Sequence, residues 1–238
     1  NLTVRVNAQV DRLAIESGDS GKRAIGVVLA GTGELLQARR EVILAAGAIG
    51  SPQILQCSGI GPEPLLRSHD IDVVHHLPGV GENLQDHLQV RTIFKVKNTV
   101  TLNRRVNSLV GKAAMGLEYL LFKTGPLTMP PSQLGAFAKS DPTRTSANME
   151  WHVQPLSLDK FGDPLHAFDA ITPSVCNLQP TSRGHVRLKT ANPLDAPAIT
   201  LNYLSTEEDQ RVAIAGLRAT RRIMTAKALA RFEPVEWK

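Results

Sequence analysis

The sequence predicts an α/β chain of two lobes, the second with α+β character, and three observations carry that prediction. Short apolar runs with a period of two fill the first forty residues. Val42, Ile43 and Leu44 then run continuously into a small-residue turn and a helix start, the strand–turn–helix order of an open α/β sheet. From Leu88 onward, short strand patterns separated by Pro- and Gly-rich breaks outnumber helical ones, the texture of an antiparallel sheet.

Leu2, Val4, Val6, Ala8 and Val10 alternate with polar residues, so a strand is expected over residues 2–10. Leu13 and Ile15 fall on the opposite parity, which places a bulge or bend near Asp11-Arg12. Turn residues at 17–21 and 30–33 divide the apolar runs that follow into a β-meander leading to a buried strand over 41–45. Ser51 offers a cap and Pro52 a first helical position. A helix is therefore expected over 53–58, with Gly59 as its left-handed exit. A second short helix over 64–69 precedes "HLPGVGENLQDH", residues 76–87, a loop containing two glycines. Strands are expected at 88–97, 134–139, 148–154, 168–176 and 184–189, and one helix at 105–122. The last helix opens at Ser205-Thr206-Glu207-Glu208, where the serine three before Glu208 makes a capping box. Val212, Ala215, Ala219 and Ile223 mark its apolar stripe. The lobes divide as residues 1–88 and 89–238.

Composition narrows the function classes. With 42% hydrophobic and 21% charged residues over 238 positions, the chain reads as an ordinary globular protein. No apolar run approaches the roughly 18 residues of a membrane helix. The opening at Asn1 shows strand alternation rather than a charged and then apolar leader. A net charge of +5 comes with basic pairs far apart in sequence and only 4% aromatics, so no nucleic-acid partner is expected. Cys57 and Cys176 stand alone without CxxC spacing, which suits buried thiols in a reducing, cytoplasmic compartment. His69, His75, His76 and His87 cluster in sequence, but their spacing repeats no helix face and no cysteine or carboxylate completes a set. No metal site is expected.

The bare stretch Ala45-Ala46-Gly47-Ala48 is the candidate binding feature. Ligands of open α/β sheets lie beyond the carboxyl ends of the strands, where small residues let a flat or charged ligand reach the backbone. The helix start at Ser51-Pro52 adds free N–H groups and the positive end of a dipole. Tight packing alone explains the same small residues. No phosphate fingerprint accompanies them: Gly31-x-Gly33, Gly59-x-Gly61 and Gly79-x-Gly81 each lack the third glycine, and GxxxxGK[ST] does not occur. If a dinucleotide binds here, the part that cradles its pyrophosphate is therefore expected outside this chain.

Residues 47–61, Gly-Ala-x-x-Ser-Pro-x-Ile-Leu-x-x-Ser-Gly-Ile-Gly, match the second signature of the glucose–methanol–choline (GMC) flavin oxidoreductase family. "ARREVILAAG" precedes the signature, "LPGVGENLQDH" follows it, and "PTSRGHVRLKTANPLDAPAITLNYLSTEEDQRVAIAGLRATRRI" at 180–223 resembles the opening of the family's C-terminal region. The chain thus resembles the choline-dehydrogenase-like alcohol dehydrogenases of that family. The resemblance implies that residues 1–88 are part of an FAD-binding α/β domain. Residues 89–238 would be an antiparallel-sheet substrate-binding domain with helices. It also implies an internal piece of a longer flavoenzyme, with the N-terminal fingerprint and the catalytic histidine outside residues 1–238.

The implied activity is oxidation of a primary alcohol by hydride transfer to flavin. FAD is expected in the full-length protein and not on this chain alone. Val10, Ala46 and Gly47 would meet the adenosine half of FAD, with Ser51 at the helix start, and Asn83, Asp86 and His87 would lie near the flavin. Candidates for the substrate pocket are Gln133, Phe137 and Trp151. "NMEWHVQP", residues 148–155, presents either Trp151 or the pair Glu150 and His152 to a cleft. Family members that oxidise choline tend to carry an acidic residue near Gln133, and a quaternary ammonium wants a carboxylate or aromatic cage. A small uncharged alcohol is therefore the expected substrate. The electron acceptor is left open, as is peripheral attachment of the parent protein to the inner membrane. Choline dehydrogenase proper, a flavin-containing hydroxynitrile lyase and a non-catalytic substrate-binding module are the competing readings.

Overall fold

The computed structural model describes residues 2–19 and 21–237. Its contacts group Asn1–Asp86 with Ser182–Tyr203 as one unit, and His87–Thr181 with Leu204–Lys238 as another. Helices and strands are mixed in the α/β manner expected.

In the first unit, β1 (Val10–Gly18), β2 (Gly21–Leu29) and β3 (Leu35–Gln37) form an antiparallel meander in that order. The register slips between Val10 and Arg12, where the parity change predicts a bulge. The strand expected over 2–10 does not form. Strand β1 begins at Val10, while Leu2, Val4 and Val6 are exposed, because alternation alone makes no ladder without a paired neighbour. Residues 41–45 are a second correction. They carry no strand pairing among the described residues, and Ile43 is 80% exposed, so this is not an inner strand covered on both faces.

Helix α1 (Gly47–Cys57) starts six residues before the expected helix. Gly47 takes the turn into it at φ +77°, and Pro52 falls inside rather than at the first position. The Ser51 hydroxyl turns back to accept the Ala46 N–H at 3.1 Å. At the far end, Ser58 Oγ accepts from Leu13 N–H at 2.8 Å and ties the helix to β1. Gly59 makes the left-handed exit at φ +75°, with the carbonyl of Asp72 only 2.2 Å from where a Cβ would sit. β4 (Ile60–Gly61), α2 (Glu63–Arg67) and β5 (His75–His76) follow, with β4 and β5 paired in parallel.

The second unit is built on an antiparallel sheet. β6 (Gln89–Arg91) and β7 (Phe94–Lys95) come first. The single helix expected at 105–122 is two, α3 (Leu102–Asn107) and α4 (Leu109–Phe122). Ser108 divides them in an extended conformation and caps α4 by accepting from Gly111 N–H. β8 (Leu134–Ala138) is the edge of the sheet, followed in order by β9 (Met149–Gln154), β10 (Ala170–Asn177) and β7, with β6 also on β10.

Residues 182–203, expected in the second lobe by their place in the chain, pack in the first unit. Here β11 (His185–Arg187) and β12 (Ala198–Thr200) make a hairpin. The fully buried Gln56 of α1 explains that placement, because its Nε2 donates to Val186 O at 3.0 Å and its Oε1 accepts from Leu188 N–H at 3.0 Å. Helix α5 (Glu207–Met224) is capped one residue later than expected, with Thr206 Oγ1 accepting from Asp209 N–H. β13 (Val235–Glu236) completes the sheet by pairing with β7.

Helix α5 covers one face of this sheet through Val212 and Ala219, which pack with Met149, Trp151 and Val175. Gly216 allows the approach, since a Cβ there would stand 2.9 Å from Val175 Cγ2. Of the expected stripe, Ile223 is exposed, and Gly216, Thr220 and Met224 take the buried side instead.

Candidate functional site

The start of α1 presents backbone almost without side chains. Ala46, Gly47 and Ala48 are exposed, and nothing lies within 4 Å of a Cβ placed on Gly47. The first-turn N–H groups of a helix have no acceptor within it and carry the positive end of its dipole. A flat ligand with an anionic portion can therefore reach the main chain at this end. Val10 is half-buried at the start of β1. Ser51 spends its hydroxyl lone pair on Ala46 N–H, so its observed work is to shape this helix start.

The glycine loop is braced on the 182–203 segment. Leu84 and Gly184 exchange backbone hydrogen bonds at 2.9 and 2.8 Å. Asn83 adopts a left-handed conformation at φ +63°, and its Oδ1 accepts from Arg183 Nε at 2.9 Å. Asp86 accepts the Tyr203 hydroxyl. Burial, reinforced by that carboxylate, pushes the Tyr203 phenol up to about 12. The sequence reading missed Gln56, Arg183 and Tyr203. A lone glutamine between Leu55 and Cys57 on a small-residue helix was the one local signal available.

In the second unit, strand register decides which side chains meet. Gln89, Cys176, Glu150 and Phe137 are paired across β6, β10, β9 and β8, and so share one face. Arg91, Ser174, His152 and Gly135 form the adjacent row on the same face. That face is opposite the one α5 covers. Phe137 is 63% exposed on it. His152 Nε2 stands 3.3 Å from Glu150 Oε1. One ligand atom each from Glu150, His152 and Cys176 lies within 4.8 Å of the other two. Burial, and secondarily Glu150, hold the Cys176 thiol above its ordinary value.

Two of the three pocket candidates, Gln133 and Trp151, line one groove, and the third, Phe137, is on the other face of the sheet. Trp151 faces α5, is 2% exposed and donates its indole N–H to Thr220 Oγ1 at 2.8 Å, so it packs in the core while also forming part of a groove wall on that side. Gln133 is exposed at that groove of about 270 Å³, which it lines with Trp151, Leu134, Val153, Ile223 and Met224. Phe137 alone is on the open face. The histidines clustered in sequence have separate partners: His69 bonds Leu188 O and His76 accepts from Glu63 N–H.

Two family models described as GMC oxidoreductase match residues 1–89 and 180–238, together more than half of the chain. The chain belongs to the GMC oxidoreductase family. An oxygen-dependent choline dehydrogenase of Stenotrophomonas maltophilia (strain K279a) is 40% identical over 235 residues, covering 97% of this chain and 40% of that protein. Another of the same description from Pseudomonas fluorescens (strain SBW25) is 40% identical over 237 residues, again covering 40% of that protein. The GMC chain described here therefore spans about two fifths of the length of the curated relatives it matches. Among solved structures, a formate oxidase superposes with a TM-score of 0.81 at 23% identity, covering 94% of this chain and 44% of that one. An FAD-dependent oxidoreductase from Chaetomium thermophilum gives 0.79 at 24% identity, with 96% and 45% covered. Both likenesses are of fold.

GMC oxidoreductases are FAD-dependent flavoproteins, and the α1 start of this GMC chain fits such a cofactor on its own geometry: exposed small residues, open space above Gly47 and unspent N–H groups. Among the described residues, no helix of the GMC chain is long and apolar enough to cross a membrane.

Proposed function

We propose that this chain is part of an FAD-dependent alcohol oxidoreductase that oxidises a primary alcohol at its CH–OH carbon. Membership of the GMC family carries this reading, and the bare helix start at Ala46–Ala48 supports it from the structure. When bound, FAD supplies the hydride acceptor. Ala46 and Gly47 would hold the adenosine half through the main chain, with Val10 beside it. Asn83, fixed by Arg183, would shape the loop toward the flavin end. Phe137 and the Glu150–His152 pair would face the substrate. The free thiols Cys57 and Cys176 favour a reducing, cytoplasmic setting, and the description of the relatives favours oxygen as the acceptor.

The favoured substrate is uncharged. A quaternary ammonium has no N–H to donate and needs a carboxylate or a ring face. On this sheet face Glu150 is already tied to His152, and Arg91 adds positive charge in the adjacent row. Choline is the second reading, favoured by the 40% identity to choline dehydrogenases and by Phe137 standing across from Glu150. The test is anaerobic addition of alcohol to the full-length, FAD-loaded protein while the flavin spectrum is followed. Bleaching with neutral primary alcohols, faster than with choline at equal concentration, is expected. Absence of bleaching with every alcohol would overturn the oxidoreductase reading in favour of a lyase, and faster bleaching with choline would overturn the substrate preference.

A further inference from the structure

We infer that Glu150, His152 and Cys176 form a binding site for one divalent transition ion of the zinc class, with protein ligands in three positions and the fourth open. The inference goes beyond the oxidoreductase reading and does not depend on it. β9 supplies Glu150 and His152 two residues apart on the same face, and β10 supplies Cys176 directly opposite Glu150. Strand pairing, rather than flexible loops, thus sets the positions of all three. One ligand atom from each lies within 4.8 Å of the others.

The donor set suits the ion. Sulfur, imidazole nitrogen and carboxylate oxygen are the three ligand types zinc takes, at about 2.3, 2.0–2.1 and 2.0–2.2 Å. In a tetrahedron those bond lengths put N and O about 3.4 Å apart and S about 3.6 Å from either. His152 Nε2 and Glu150 Oε1 already stand at 3.3 Å. Closing the rest asks for side-chain shifts of about 1 Å, within reach of a glutamate rotamer. A thiolate and a carboxylate together cancel the ion's charge. Cys176 is 3% exposed, and the thiol proton would leave to solvent as the sulfur–metal bond forms. Two of the ligands keep partial exposure, which leaves an entry path for the ion and a place for its fourth ligand.

Cobalt(II) reports this geometry directly, because a thiolate ligand gives a near-ultraviolet charge-transfer band and a tetrahedral site a strong visible band. The full-length protein, stripped with chelator, is titrated with cobalt(II) chloride alone. One equivalent is expected to raise both bands, and zinc chloride to abolish them. Cys176→Ser should remove the charge-transfer band, and His152→Ala and Glu150→Gln should each weaken binding at least tenfold, whereas Cys57→Ser should leave the bands intact. If Cys176→Ser does not fold by circular dichroism, the other two variants decide. No band up to millimolar cobalt, a band that Cys57→Ser removes, or affinity unchanged in both His152→Ala and Glu150→Gln would overturn the site.

Discussion

Replacing Thr220 by valine tests whether the α5–sheet core depends on one buried hydrogen bond. Thr220 is fully buried, Trp151 is 2% exposed, and the indole N–H donates to Thr220 Oγ1 at 2.8 Å. Valine has the same shape, so no cavity opens. The hydroxyl's own bond to Gly216 O is a helix back-bond, and losing it leaves that carbonyl with its ordinary helical donor. The cost is then the stranded indole N–H, about 1–3 kcal/mol. The methyl that replaces the hydroxyl returns less than about 1 kcal/mol of burial. The net loss is about 1–2 kcal/mol, a Tm drop of about 2–8 °C for a domain of this size. Urea unfolding followed by circular dichroism measures it. A double-mutant cycle with Trp151→Phe isolates the bond, since without the indole N–H the Thr220→Val change should become nearly neutral. A single-mutant loss below about 0.5 kcal/mol, or no coupling in the cycle, would refute the argument.

Three further outcomes are expected. Gln56→Leu leaves Leu188 N–H and two carbonyls unpaired in the first unit and should cost about 2–4 kcal/mol, read by urea midpoint. An unchanged midpoint would mean that water replaces the side chain. In Gly47→Val the added Cβ meets no protein atom within 4 Å, but the residue must hold a left-handed φ of +77°, and its side chain fills the space proposed for the cofactor. It should lower flavin content per chain in the full-length protein, and normal occupancy would remove the α1 start from the cofactor site. The Cys57 thiol is raised to about 11 by burial, with Asp11 adding to it, so at pH 8 only about one molecule in a thousand carries the thiolate. Alkylation at Cys57 by iodoacetamide should be slow at pH 8 and accelerate as pH rises toward 11. Because the folded pKa lies above the unfolded one, whatever stability the protonated thiol contributes is present below about pH 9 and lost as pH rises through 11. Fast labelling at pH 8 would contradict that environment.

What was legible in the sequence is what short-range chemistry determines. The bulge near Asp11-Arg12 follows from a parity slip, the Gly59 exit from a left-handed requirement, and the strands at 134–138 and 149–154 from period-two runs between breaks. The two failures in the first unit share one cause. Residues 2–9 and 41–45 have strand-like sequences, but a strand needs a ladder of backbone bonds, and among the described residues these segments show only the single bond from Ala30 N–H to Gln9 O. Ser51-Pro52 misled for a different reason. Proline at a helix start is a preference, and Gly47 made an earlier entry sterically free.

The candidate site divides along the same line. The α1 start is contiguous in sequence, so its small residues could be read directly as a surface for a flat ligand. The sheet face could not. Alternation says that Trp151 and the pair Glu150–His152 point oppositely, but not which of them α5 covers. That is settled by Gly216, whose missing side chain lets α5 press on Val175 from the Trp151 side. With α5 on that face, Trp151 packs in the core, its N–H is held by Thr220, and it lines the groove beside Gln133. Glu150, His152 and Phe137 are the side chains that the opposite face presents to a substrate or an ion. Cys176 joins them only because β10 pairs with β9 in one register. A slip of a single residue would turn the thiol to the α5 side and bring Val175 opposite Glu150. The chemistry of this face is therefore a property of strand register, fixed by the burial of Met149, Trp151 and Val175 on the other side.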